Sequence, residues 1–260
     1  MVKGLDLFRR RFREFEGSFI LIGGAACDEW FAAEGLEFRA TRDLDIVLII
    51  EALAPKAVGA LRSFIADGGY EVRQRTEGVP VLYRFAKPAN KEFPFMLELF
   101  SRKPEGLNLE EGQEIVPIPA GSDHHSLSAI LLDQDYYSLI QTHTTVRDGL
   151  PVATATALIP LKARAWLDLT KRKADGQRID SKDIDKHRND VFRLAATLAN
   201  EPGPVLPSAI TGDLASFLDS FAESAQEWRA ILASLKNTLG GEIRPAVLRS
   251  AIQTFFRLPS

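Results

Sequence analysis

Two glycines, Gly23-Gly24, are followed nineteen residues later by Asp43-Leu44-Asp45, which runs into the apolar stretch Ile46-Val47-Leu48-Ile49-Ile50. Alternate residues of a strand share a face, so Asp43 and Asp45 project together while Leu44 points the other way. Two carboxylates held side by side repel each other unless a cation sits between them. Hard oxygen ligands beside a phosphate substrate favour Mg²⁺. An Asp-x-Asp at the start of a strand is also a common surface feature, so the motif by itself leaves both readings open. The glycines add a second chemical feature. Glycine lets the backbone approach a phosphate closely, and a helix that starts there offers free N–H groups and the positive end of its dipole. The pattern is neither G-x-G-x-x-G nor a Walker loop, since no Gly-Lys-Ser/Thr follows. A purely structural turn is the more frequent explanation of such a pair taken alone.

Glu98 is the third candidate. It lies in Phe93-Pro94-Phe95-Met96-Leu97-Glu98-Leu99-Phe100-Ser101, and an acid inside such an apolar run is costly unless paired. It shares a face with Met96 and Phe100. If this strand runs beside Asp43 and Asp45, Glu98 joins them as a metal ligand. On an edge strand it faces solvent instead. A fourth group lies further on. Lys162 sits in the apolar helix start Leu158-Ile159-Pro160-Leu161-Lys162-Ala163. Lys182, Lys186 and Asp190 are spaced four apart and stack on one helix face. Salt bridging between Lys186 and Asp190 would account for that spacing. A basic wall that holds a triphosphate or an RNA backbone, with Asp190 orienting Lys162, would account for it too.

These groups need a scaffold, and the hydrophobic periodicity supplies one. Leu5, Phe8, Phe12 and Phe15 recur at helical spacing. Short strands are expected over 18–22, 45–50, 70–75, 79–85, 93–101 and 114–117, with helices over 25–33 and 55–66. Residues 136–142 read as a further strand, and 146–152 as a hairpin around Asp148-Gly149. From Thr156 the period changes. Helices are expected over 157–173, from an N-cap at Ser181 to about Ala199, and then over 208–224, 227–239 and 245–256. The expected fold class is α/β: a mixed-sheet domain over 1–153 followed by an all-helical domain over 154–260.

Composition narrows the function classes. The chain has 260 residues, 45% hydrophobic and 26% charged, which is ordinary for a globular protein. No apolar run reaches membrane-spanning length, and residues 1–16 carry no signal-peptide core, so a soluble cytoplasmic protein is expected. Cys27 is the only cysteine, which rules out an intrachain disulfide and a cysteine-based zinc site. The adjacent His124 and His125 have no metal-ligand spacing and read as surface residues. A net charge of −3 argues against a generic nucleic-acid coat. Residues 160–200 nevertheless hold ten Lys/Arg against six Asp. That excess fits either a solvated helix face or an RNA-facing wall.

Taken together, Ile22-Gly23-Gly24-Ala25-Ala26, Arg39-Ala40-Thr41-Arg42-Asp43-Leu44-Asp45-Ile46-Val47 and Leu161-Lys162-Ala163-Arg164-Ala165-Trp166-Leu167-Asp168, leading to Lys186-His187-Arg188-Asn189-Asp190-Val191-Phe192-Arg193-Leu194, resemble the AbiEii-type nucleotidyltransferases. These are toxin components of bacterial toxin–antitoxin and phage-defence systems, within the polymerase-β-like superfamily. The resemblance spans roughly residues 18 to 195. It implies transfer of a nucleoside monophosphate from an NTP, with Mg²⁺ on Asp43, Asp45 and Glu98, in a one- or two-metal site. It further implies that Gly23, Gly24, Thr41, Lys162, Lys182 and Lys186 contact the nucleotide, and that Asp190 completes the catalytic set. The resemblance allows a tRNA 3′ end, a protein hydroxyl or a small molecule as acceptor, with tRNA leading by analogy, and it implies a cognate antitoxin protein as partner. A small-molecule nucleotidyltransferase and an NTP-binding module without turnover are the alternatives. Two departures stand out. The family usually has Asp where this chain has Glu98. Either Asp183 or Asp190 could take the helical acid's role, and Val191, Phe192 and Leu194 favour Asp190.

Overall fold

The computed structural model describes residues 2–72, 83–103, 115–117, 128–239 and 243–259. His124 and His125 lie outside the described residues. The chain divides into two compact units: Met1–Trp30 with Arg39–Ala153, and Phe31–Phe38 with Thr154–Ser260. Among the described residues no helix is long and apolar enough to cross a membrane.

The first unit is a mixed sheet with helices. In chain order it contains α1 (Leu5–Phe12), a 3-10 turn (Arg13–Ser18), β1 (Phe19–Ile22) and the start of α2 (Gly23–Ala33). Then come β2 (Asp43–Leu48), α3 (Pro55–Gly68), β3 (Glu71–Val72), β4 (Arg84–Ala86) and β5 (Met96–Ser101). It closes with β6 (Ile115–Pro117), β7 (Ser128–Leu131), α4 (Gln134–Thr142), β8 (Thr144–Arg147) and β9 (Leu150–Ala153). The strand order is β3-β4-β5-β2-β1-β9-β8, with β7 paired to β5 and β6 to β7. The two strands that carry the acids, β2 and β5, are central and parallel, while β1 runs antiparallel to β2.

One face of this sheet is apolar along its length. Leu21, Leu44, Ile46, Leu97 and Leu99 are fully buried there. Phe8 and Phe12 of α1 pack with Phe19 and with Phe64 of α3, at ring separations from 4.9 to 6.2 Å, and Phe64 stacks on to Phe93 at 4.7 Å. Such rings contribute large apolar areas to a core. The amphipathic α1 is therefore the lid of that core, with Phe8 and Phe12 inward and Arg9, Arg10 and Arg11 near its C-terminal end.

In this unit one expected strand is a helix, and the expected hairpin forms. Residues 136–142 are helical, not a strand. Asp133 caps this helix by accepting the Asp135 N–H at 2.9 Å, and Tyr136, Tyr137, Leu139 and Ile140 are buried at helical spacing. The β-propensity of the paired tyrosines hides that period. Asp148 and Gly149 both adopt positive φ, 47° and 76°, as a two-residue hairpin turn of the I′ type requires.

The second unit holds α5 (Ala155–Ala174), α6 (Ser181–Ala195), α7 (Ser208–Asp219), α8 (Trp228–Leu239) and α9 (Pro245–Phe256). Trp166, Phe192, Phe217, Phe221 and Trp228 form its aromatic centre, with neighbouring rings 4.6 to 5.6 Å apart. The N-cap of α6 is Asp180, not Ser181: its carboxylate accepts the Lys182 N–H at 2.9 Å, and Ser181 is already helical. Segment 31–38 belongs to this unit, where Phe31 and Phe38 stack at 5.3 Å.

Candidate active site

The register of the sheet brings the sequence motifs together. Ile22 at the end of β1 is the partner of Asp45, and the chain turns into α2 at the next residue. Gly23 adopts φ +69°, and a Cβ there would lie 1.8 Å from Asp45 Oδ2. Both the backbone conformation and the contact therefore demand glycine. Gly24 is constrained by contact alone, because a Cβ on it would lie 2.6 Å from Thr41 Oγ1. The Asp45 carboxylate and the Thr41 hydroxyl thus lie directly against the start of α2, where helical N–H groups and the dipole favour anions.

On β2, Leu44 is buried while Asp43 and Asp45 are half-buried on the other face. Across the parallel pairing, Asp43 faces Met96 and Asp45 faces Glu98. Glu98 therefore lies on a central strand and on the same face as both aspartates. The edge-strand alternative falls away. The next strand adds a residue that the sequence does not mark. Arg84 of β4 is the partner of Glu98, and its Nε donates to Glu98 Oε1. A lateral row runs Arg84, Glu98, Asp45, Ile22 over four strands. The clue is a lone cation inside the apolar stretch 79–85, visible but attached to no motif.

The expected three-carboxylate cage is not assembled. Among the described residues no three His, Cys, Asp or Glu side chains converge on a common metal position, and the Glu98 carboxylate is engaged by Arg84. The donor set that fits a divalent cation is the narrower pair Asp43 and Asp45. Mg²⁺ is commonly held by one or two carboxylates, with substrate phosphates and water filling its remaining positions. The missing side chain at Gly23 is the space in which the Asp45 carboxylate stands.

The helical unit builds a separate ionic cluster. Lys162 of α5 and Asp190 and Arg193 of α6 are 5%, 0% and 6% exposed. Asp190 Oδ2 lies 3.2 Å from Lys162 Nζ, and Asp190 Oδ1 accepts from Arg193 at 3.0 Å. Arg193 also donates to the Ser234 carbonyl at 2.8 Å. Asp190, not Asp183, is therefore the acid joined to Lys162. Lys186 pairs with Asp183 at 2.9 Å rather than with Asp190, and Lys182 is exposed. Arg193 falls inside the stretch that carries the family resemblance but has no role assigned there, although it lies three residues after Asp190, within reach on one helix face.

No family model matches the chain. No curated protein matches it. Among solved structures, an antigenic nucleotidyltransferase-like protein from Paracoccidioides brasiliensis is similar, at 15% identity, over 96% of this chain and 90% of that one, with a TM-score of 0.36. A likeness of that size assigns neither a family nor an activity.

Proposed function

We propose that the protein is a Mg²⁺-dependent nucleotidyltransferase that moves an NMP from an NTP to an acceptor hydroxyl, with tRNA as the acceptor. The observation that carries this reading is the convergence of the Gly23-Gly24 turn on Asp45 and Thr41, with Asp43 on the same strand face. Asp43 and Asp45 would hold the cation. When bound, the cation would neutralise charge on the triphosphate. The N–H groups at the start of α2 and the Thr41 hydroxyl would orient the phosphates. Glu98, once released by Arg84, would either complete a second metal site or accept the proton of the attacking hydroxyl. That hydroxyl oxygen would bond to the α-phosphorus as the bond to pyrophosphate breaks. Lys162 and Asp190 are included as residues that turnover requires, on the strength of their ion pair and of the resemblance to the AbiEii-type enzymes. The tRNA acceptor rests on that resemblance alone.

The Arg84–Glu98 pair favours a second reading, an NTP-binding module without turnover, because it occupies the proposed base. One experiment separates the readings. The protein is incubated with Mg²⁺, each of four labelled NTPs and total tRNA, beside an Asp43→Ala/Asp45→Ala control. Label in tRNA only with the intact protein supports the transferase. Pyrophosphate release without labelled tRNA moves the acceptor to a protein or a small molecule. Mg²⁺-dependent NTP binding with no pyrophosphate supports the module.

A further inference from the structure

The row of charges across β4, β5 and β2 has a cation built into it. Glu98 and Asp45 are direct partners on adjacent strands, and like charges so placed destabilise a sheet. Arg84, the partner of Glu98 on its other side, offsets that repulsion from within the fold. The pair is asymmetric. The Glu98 side chain is 12% exposed and the Arg84 side chain 36%. Arg84 can swing into water without burying a charge, whereas Glu98 has nowhere to go.

We propose that Arg84 is a positioning residue that competes with a second divalent cation for Glu98. The proposal rests on the reading that Asp43 and Asp45 hold the first cation. While the guanidinium occupies Oε1, it withdraws one ligand oxygen from that second position. It also sets a positive charge where another would have to bind, in a half-buried setting that solvent screens weakly. The first cation, on Asp43 and Asp45, binds without this exchange. The second requires Arg84 to leave. The fold thus keeps Glu98 out of the metal site until a ligand of sufficient charge displaces the guanidinium. An anionic phosphate, which Arg binds well, would receive it.

The test is a Mn²⁺ titration of the full chain without nucleotide, followed by the electron paramagnetic resonance signal of free Mn²⁺. Wild type is expected to bind one equivalent that Asp43→Ala/Asp45→Ala abolishes, and a second more weakly. Arg84→Gln is expected to tighten the second equivalent by up to about fivefold, the change that an ion pair of ordinary strength would produce. Adding Glu98→Gln should remove that gain. Arg84→Lys keeps the charge and should leave the second equivalent weak, which a purely structural role for Arg84 would not predict. Glu98→Gln in the wild-type background, with Arg84 unchanged, should remove only the second equivalent. The proposal is overturned if Arg84→Gln leaves the second equivalent unchanged, if the gain survives Glu98→Gln, or if Glu98→Gln alone retains two equivalents. Each of those outcomes leaves the first site standing. Absence of any Mn²⁺ binding that depends on Asp43 and Asp45 would instead remove the metal reading itself, and this proposal with it.

Discussion

At the scale of single residues, Gly23 is constrained twice over. Its φ of +69° is left-handed, and a side chain there would run into Asp45. Gly35 has nearly the same φ, +70°, but a Cβ on it would meet nothing within 4 Å. The two glycines form an internal control. Gly35→Ala should cost only the backbone strain, about 1–2 kcal/mol, and leave NMP transfer intact. Gly23→Ala should carry the same strain and also displace the Asp45 carboxylate, lowering kcat sharply. Thermal melts beside turnover assays would show this; equal effects of the two substitutions on turnover would refute the cradle. Asp43→Ala should reduce turnover on the order of 10³-fold if the cation supplies several kcal/mol. Near-wild-type kinetics would remove the pair from the mechanism. Asp190 is governed by different physics. Its carboxylate is fully buried between Lys162 and Arg193. Asp190→Ala should destabilise the fold by roughly 3–5 kcal/mol, because two buried cations lose that carboxylate. Urea unfolding of the variant would measure it.

At the scale of elements, the legibility of each segment follows its surroundings. Strand β2 can be read because its acids and aliphatic residues alternate as a half-exposed face demands, and the start of α2 because two glycines break an apolar strand. The parallel pairing of β2 with β5 cannot be read, since nothing local to Asp43-Leu44-Asp45 specifies a neighbour some fifty residues away. That pairing is what sets Glu98 beside Asp45 and Arg84 beside Glu98. Helix α4 escapes a local reading because its role is tertiary. Tyr137 donates to Glu51 Oε2 at 2.6 Å and accepts the Ile50 N–H at 3.2 Å, while Arg102 donates to Glu51 Oε1 at 2.6 Å. The cluster fastens α4 to the far end of β2. Desolvation raises the Glu51 pKa, but the bonds from Tyr137, its own backbone and Arg102 together outweigh it and hold the group below the usual carboxylate range. Burial holds His143, just after α4, below its ordinary value as well. In both cases the unfolded chain takes up the proton first. Stability is therefore full above the unfolded pKa of each group and falls as the pH drops, first through the histidine range and then through the carboxylate range. Tyr137→Phe should shrink the carboxylate limb and leave the histidine limb in place. Thermal melts from about pH 7 to about pH 3 would separate the two, and an unchanged acid limb would show that the Tyr137 bond does not act on Glu51.

At the scale of the whole molecule, charge decides how an RNA acceptor could be held. The net charge of −3 offers no general attraction to phosphate. The surplus of cations over 160–200 is also smaller at the surface than in the sequence. Lys162, Arg164, Arg172, Lys186, Arg188 and Arg193 are each paired with an acid, and Lys173 donates to the Ser181 hydroxyl. Among the described residues no acid pairs with Lys171, Arg178 or Lys182, which lie from the end of α5 to the start of α6. If tRNA is the acceptor, these three are the cations of that segment with charge available for its backbone. Each phosphate contact adds roughly 0.7 to 0.9 to the slope of log affinity against log salt. Replacing all three by Ala should lower that slope by about 2 to 3 and weaken labelling of tRNA at low salt. Mn²⁺ binding at Asp43 and Asp45 should be unchanged, since the substitutions lie in the other unit. Filter binding of tRNA across a salt series reads the slope directly. A small-molecule acceptor makes the opposite forecast: transfer would be indifferent both to salt and to the three substitutions, and these cations would be nothing more than a solvated helix end.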